Sequence, residues 1–330
     1  MKLASLQSIT DLRPIAGADF IQAATVLGYQ TVVKKGEFAD HDLCLWHEPD
    51  TIVPDRPEYE FLRKQNFRLK VSRFKGQVSQ GLALPLHKFQ LPAGLQPGDD
   101  VSDLIGVKKY EKPMPANLAG VAKGAFPGWL IKTDEPNLRS NPAALEEFQG
   151  RECVATQKID GTSATFYWRQ GVFGVCSRNL ELLEDPQHAL WRIAADYKIA
   201  AALQSLKGDY AIQGEVYGEG IQGNHAKIRN VALAVFNLFD IVAHAFIGYD
   251  ELATFCQSQN LPLVRPVWRG AFGFTLDQCV ALANQQEYTP GAPAEGLVFR
   301  TVKEARSLAL PSGRLSAKVV SEAYCLKYGE

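Results

Sequence analysis

Lys158-Ile159-Asp160-Gly161 is the stretch from which the fold is read. Ahead of it, Cys153 to Lys158 is a strand candidate. Behind it, Ser163 to Trp168 and Val172 to Cys176 flank Arg169-Gln170-Gly171 as a hairpin. The lysine therefore stands where a strand ends and a turn begins, a position from which a side chain can project into a cleft. Taken alone the pattern is weak, because Asp-Gly is a common hairpin turn and lysine a routine exposed strand residue.

Working outward, the chain alternates between strands and short helices. Asp185 suits an N-cap, Pro186 the first helical position, and Leu190, Ile193, Ala194, Tyr197 and Ala201 form an apolar stripe that Gly208 can close. Strands are expected at Tyr210 to Tyr217, Val231 to Val242, Gly296 to Arg300 and Leu315 to Val320, with helices near Asp250 to Gln259 and Leu276 to Gln285. The first hundred residues read as short strands (Ala24 to Val33, Leu43 to His47, Asn66 to Phe74, Val78 to Leu86) that fit a small barrel or sandwich. Between them, Lys112 to Gly128 has the Pro and Gly content of a linker. The expected architecture is α+β in two domains, an OB-like β-barrel over 1–115 and an antiparallel-sheet domain over 116–330.

Charge and cysteine usage narrow the function classes. The net charge of −1 over 330 residues argues against indiscriminate polyanion binding. One segment departs from that balance: Phe61 to Lys88 carries Arg63, Lys64, Arg68, Lys70, Arg73, Lys75 and Lys88 with no acid, interleaved with Phe67 and Phe74. Cations and stacking rings in that mixture suit a nucleic-acid surface, although lysine stems covering a strand pair give the same pattern. The six cysteines form no CxxC pair and read as reduced core thiols. No apolar run is long enough to cross a bilayer and the start lacks a signal peptide, so a cytoplasmic protein without membrane partners is expected.

Four further elements follow the lysine in order: Ser177-Arg178-Asn179, Gly214-Glu215-Val216-Tyr217-Gly218, Phe236-Asn237-Leu238-Phe239-Asp240, and Glu295-Gly296-Leu297-Val298-Phe299-Arg300. Lys318-Val319-Val320-Ser321 and Lys327 close the series. In this order the chain resembles the covalent nucleotidyltransferase superfamily of ligases and capping enzymes. The whole chain looks like the RNA ligase family whose type member is from Deinococcus, in which an OB-like module precedes the nucleotidyltransferase (ATP-grasp-like ligase) domain. Arg63 to Arg68, Gly76 to Gly81, Ile131 to Glu135, Leu315 to Ser321 and Tyr324 to Lys327 carry that narrower likeness. Only residues 319–330 follow Lys318, so no OB domain is expected after the catalytic one, as DNA ligases and capping enzymes have.

The resemblance implies an ATP-dependent RNA ligase that joins a 3′-hydroxyl to a 5′-phosphate at nicks with RNA on the 3′-hydroxyl side, using Mg²⁺ or Mn²⁺ and acting as a monomer. Lys158 would attack the α-phosphorus of ATP, AMP would pass to the 5′-phosphate, and the 3′-hydroxyl would displace it. An attacking amine must be unprotonated, so the site is expected to favour the neutral form, through a cation and a second lysine, Lys318. Glu215 and Glu295 would hold ribose hydroxyls or the metal through water. Asp160 and Gly161 belong to the nucleotide site, and Arg178 would contact ribose or the nick. Lys132 to Glu135 are further candidates for nucleotide contact. Phe236 would stack on adenine; the alternative is that Phe236 is core and Phe239 faces the base. The second lysine common in motif V of the superfamily is missing, with Ser316 and Val320 flanking Lys318, and Lys327 could replace it.

Other readings are weighed on the same residues. Gly218-Glu219-Gly220-Ile221-Gln222-Gly223 matches GxGxxG, but too few residues separate Gly223 from the strand at Val231 to hold a crossover helix, so a dinucleotide fold is rejected. A DNA ligase or capping-type enzyme shares the chemistry and differs in domain order. A noncatalytic nucleic-acid-binding protein would use the basic segment alone.

Overall fold

The structure, a computed structural model, describes residues 2–110 and 121–329. The expected domain boundary at 115/116 and part of the expected linker fall on residues 111–120, outside the described ones. Two compact units emerge: Met1–Pro113 with Asn137–Pro142 and Glu322–Glu330, and Met114–Pro136 with Ala143–Ser321. Among the described residues no helix is long and apolar enough to cross a membrane.

The first unit is built from small antiparallel sheets. One joins Ala4–Ser8, Leu43–His47 and Leu82–Pro85; another joins Thr10–Pro14, Ile21–Val26 and Tyr29–Lys34. The stretch from Ala24 to Val33 is thus a hairpin and not one strand, because Leu27 takes a positive φ of 52° at the turn. Most of Asn66 to Phe74 is likewise not strand. The 3₁₀ helix Pro57–Gln65 ends on left-handed Asn66 and Phe67; Arg68 then makes an isolated bridge to Ile52, and Ser72–Phe74 pairs with Gln77–Ser79. Leu6, Leu45, Tyr59, Leu84 and Ile105 fill one core cluster, and Ile9, Val26, Tyr29 and Trp46 a second.

The second unit is built on a seven-stranded antiparallel sheet and a four-stranded one, with a small two-stranded hairpin, Glu287–Thr289 paired with Ala292–Pro293. The seven-stranded sheet runs in the order Ala122–Ala125, Leu180–Leu182, Val172–Cys176, Thr162–Arg169, Tyr210–Tyr217, Ala232–Asp240, Ala245–Phe246. Its central hairpin turns on Gln170 and Gly171, both at positive φ, as the right-handed strand twist favours. The long helix expected after Asp185 is two, Ala189–Asp196 and Ile199–Gln204, broken at Lys198 where φ is 51°. His188 caps the first through its ring nitrogen. These helices bury Leu190, Ile193, Ile199 and Leu203 against Phe166, Ile212 and Leu238 of the sheet. The four-stranded sheet runs Pro266–Ala271, Glu152–Lys158, Gly296–Thr301, Ser316–Val320. Because Tyr210–Tyr217 and Ala232–Asp240 pair antiparallel, the glycines at 218–223 serve a return turn and not a crossover. All six cysteines are buried and free.

Candidate active site

The seven- and four-stranded sheets of the second unit contribute to one pocket. Lys158 ends its strand opposite Gly296, and Glu295 stands one residue before the strand that Gly296 begins. The Lys158 Nζ lies 2.6 Å from Glu295 Oε1, with both side chains largely buried. Glu215 reaches the same pocket from the seven-stranded sheet, where it lies opposite Ser163. Close packing of the two sheets requires a glycine after Lys158. At Gly161 a Cβ would fall 2.4 Å from the Val216 carbonyl oxygen and 3.0 Å from Glu215 Cγ.

The side chains of the pocket act on the charge of the Lys158 amine and of the Glu215 carboxyl in opposite ways. Burial disfavours charge on Lys158, but Glu295 and Glu215 outweigh it and hold the amine's pKa above its ordinary value. Glu215 responds in the opposite sense. Burial, together with the charges of Glu295 and Asp160, pushes its carboxyl up to about 8 against the pull of Lys158. The protein's own groups therefore store the amine as an ammonium.

Phe236 lines the pocket beside Thr133, Glu135, Lys158, Glu215 and Arg300, while Phe239 is fully buried against Tyr167, Cys176 and Phe246. The backbone explains which ring is which. Asn237 pairs with Gln213 and Val235 with Gly214, so Phe236 is an extra residue, a β-bulge. Leu233 and Val235 face the helices before it, Leu238 after it, and the bulge turns Phe236 out of that core. Its carbonyl accepts a hydrogen bond from Arg300, whose Nη1 also donates to Asn237 Oδ1 at 3.0 Å. Arg314 donates to the same amide oxygen and lies 3.9 Å from Glu135.

The remaining candidates divide. Lys318 is opposite Val298, which is opposite Thr156; residues opposed in this way share a face, so Lys318 lies on the Lys158 face two rungs along. Its backbone N–H donates to Pro136 O. Asp160 pairs with His225 Nδ1 at 2.7 Å. Arg178 is an exposed partner of Asp134 at 2.7 Å, and Lys132 donates to Asn179 Oδ1. Lys327 belongs to the first unit, on the helix Glu322–Tyr328. Sequence reasoning missed Tyr288, His225 and Arg314. Each acts on backbone or on a side chain far away in the chain, with no local pattern to reveal it.

In the basic segment, Arg68 is a structural residue: its side chain is 11% exposed, paired with Asp50 at 2.7 Å and stacked 3.6 Å over Tyr110. Arg63 pairs with Asp55 and Glu60, and Lys88 with Glu37. Lys70, Arg73 and Lys75 remain exposed with Phe74, the last three at the tip of the Ser72–Phe74 hairpin.

A fold that brings a strand-end lysine, two glutamates and an aromatic wall together from antiparallel sheets defines a nucleotidyltransferase-type ligase domain. An OB-fold domain model matches residues 3–86, and an RNA ligase model matches residues 151–320. The chain is similar to solved structures of Naegleria gruberi RNA ligase. A mutant in apo form is 33% identical with a TM-score of 0.90, covering 99% of this chain and 98% of that one. The enzyme with pyrophosphate is 34% identical with a TM-score of 0.90, covering 100% and 99%. A mutant with AMP and Mn is 33% identical with a TM-score of 0.91, covering 100% and 99%. No curated protein sequence matches. The chain belongs to the RNA ligase family.

Proposed function

We infer that this chain is an ATP-dependent RNA ligase that seals a 3′-hydroxyl to a 5′-phosphate at nicks, with RNA on the 3′-hydroxyl side, through AMP carried on Lys158. The observation that carries the reading is the Lys158 amine, held 2.6 Å from Glu295 in a pocket that Glu215 and Phe236 also line. The Naegleria gruberi enzymes with ATP and Mn, and with AMP and Mn, support ATP and a divalent metal here. The likeness to the Deinococcus type rests on domain order and on the motifs of both halves.

The chemistry assigns each residue a task. Lys158 Nζ bonds the α-phosphorus as the bond to pyrophosphate breaks. The 5′-phosphate oxygen then takes AMP, breaking the phosphorus–nitrogen bond, and the 3′-hydroxyl displaces AMP to form the phosphodiester. Phe236 stacks on adenine, Lys318 offsets charge on the phosphorus oxygens, and Asp160, Gly161 and Arg178 complete the nucleotide site. Among the described residues no group of three or more His, Cys, Asp or Glu could hold a metal ion. An excess of carboxylates around one ammonium suits a cation that keeps most of its waters, held by Glu215 and Glu295 through them. When bound there, it would supply positive charge beside Glu215 and Glu295, against which the Lys158 proton is held less firmly. Glu295 Oε1 is the nearest atom to receive that proton. The hairpin bearing Arg73, Phe74 and Lys75, with Lys70, offers the nucleic-acid strand cations and a ring.

The test is incubation with α-labelled ATP and magnesium or manganese. A label that survives denaturation and vanishes in Lys158→Ala is expected, with sealing of a matched nick lost in the same variant. Absence of a label under either metal would leave only a nucleic-acid binder. Exchanging RNA and DNA strands around the nick tests the strand preference.

A further inference from the structure

One hydroxyl ties together the two residues that form the reactive pair. Tyr288, on the short strand Glu287–Thr289, reaches under the end of the Lys158 strand. Its hydroxyl donates to the Lys158 carbonyl oxygen at 3.0 Å. It accepts from the Asp160 N–H at 2.7 Å and from the Glu295 N–H at 3.2 Å. A hydroxyl has one proton and two lone pairs, so all three capacities are used within the protein. No capacity is left for a ligand, which makes Tyr288 a positioning residue.

The location explains why such a residue is needed. The strand Gly296–Thr301 begins opposite Lys158, so the ladder between the two strands ends at the Lys158–Gly296 rung. Beyond it the Lys158 carbonyl and the Asp160 and Glu295 N–H groups lack a strand partner. The phenol oxygen takes the partner's place for all three. Residues on either side of the reactive ion pair are thereby fixed to one atom. Gln157 Nε2, donating to the Glu287 carbonyl at 3.1 Å, anchors the hairpin that presents the ring.

We propose that Tyr288 sets the attack geometry of Lys158 by locking its backbone to that of Glu295 and Asp160, and so governs lysine adenylylation more than phosphodiester formation. The proposal rests on the ligase reading. In the adenylylation step Lys158 Nζ must itself meet phosphorus, and a displacement of about 1 Å costs on the order of 100-fold. In sealing of an already adenylylated 5′-end the 3′-hydroxyl is the nucleophile and the amine attacks nothing.

The experiment compares wild type with Tyr288→Phe in single-turnover formation of the lysyl adduct and in sealing of a pre-adenylylated nick. Adduct formation at saturating ATP should fall about 10- to 100-fold, with KM for ATP and the pre-adenylylated reaction changed less than about threefold. If the two reactions fall equally, or if the loss lies wholly in KM, the proposal is overturned. A wild-type rate in Tyr288→Phe also overturns it, whereas absence of an adduct in wild type would overturn the ligase reading instead. Should Tyr288→Phe fail to fold, 3-fluorotyrosine at position 288 keeps the ring and the hydroxyl but weakens the oxygen as an acceptor. The same step-selective loss is then expected at about 2- to 5-fold, and an unselective loss would refute it.

Discussion

Glu215 makes the pocket costly to the fold, and Glu215→Gln should reveal by how much. Its carboxyl is pushed up to about 8, so the folded protein binds that proton more tightly than the unfolded chain, where a glutamate titrates near 4.5. Stability from this group is therefore fully present below the unfolded value and is lost as the pH rises through about 8. From about pH 5.5 to about pH 8 the limit is about 3.4 kcal/mol, at about 1.36 kcal/mol per pH unit. The side chain is partly exposed and faces a lysine, so screening reduces the expected loss to about 2 kcal/mol. Glutamine cannot ionise and escapes it. Urea unfolding of both proteins, without nucleotide and with metal chelated, should show Glu215→Gln gaining about 2 kcal/mol on wild type between those two pH values. The same variant should be deficient in adenylylation. A stability difference that stays flat with pH would refute the claim that burial and neighbouring carboxylates load this group with a proton.

Phe236→Ala should raise KM for ATP about 10-fold or more, the value of a lost stacking contact, while Phe239→Ala should chiefly lower stability by about 3–5 kcal/mol. Nucleotide titration and melting of the two variants distinguish a pocket wall from a core ring. Neutralising Lys70, Arg73 and Lys75 together should weaken nicked-substrate binding and reduce its logarithmic salt slope by up to about 3, leaving adduct formation near wild type. Binding measured across a salt series checks this; an unchanged slope would remove the hairpin from the nucleic-acid surface.

The sequence revealed the parts of this protein that repeat known local rules. Runs such as Leu43 to His47 and Tyr210 to Tyr217 appear as strands with those bounds, since alternation and flanking turns decide them locally. Lys158, Glu215 and Glu295 were legible through the order of short motifs, and they do line or border one pocket. What escaped depends on distant partners. Arg68 reads as a free cation until Asp50 and Tyr110 are beside it. The break at Lys198 interrupts an apolar stripe that continues through it, so periodicity alone joins two helices into one. The raised pKa of Lys158 follows from Glu295, just ahead of one sheet, and Glu215, on another, which no spacing in the chain expresses. Tyr288 works by touching backbone, and backbone partners leave no mark on residue type.

The bulge at Phe236 carries a further consequence for how this enzyme could be altered. Val235 and Asn237 already meet consecutive residues of the neighbouring strand, Gly214 and Gln213. The ladder is complete without the residue between them. Excising that one position would leave a more regular sheet, unchanged helix packing and no ring at that side of the pocket. Phe236, the proposed platform for the base, is thus an insertion carried by the scaffold, so shortening this strand by one residue should separate folding from nucleotide use more cleanly than any substitution.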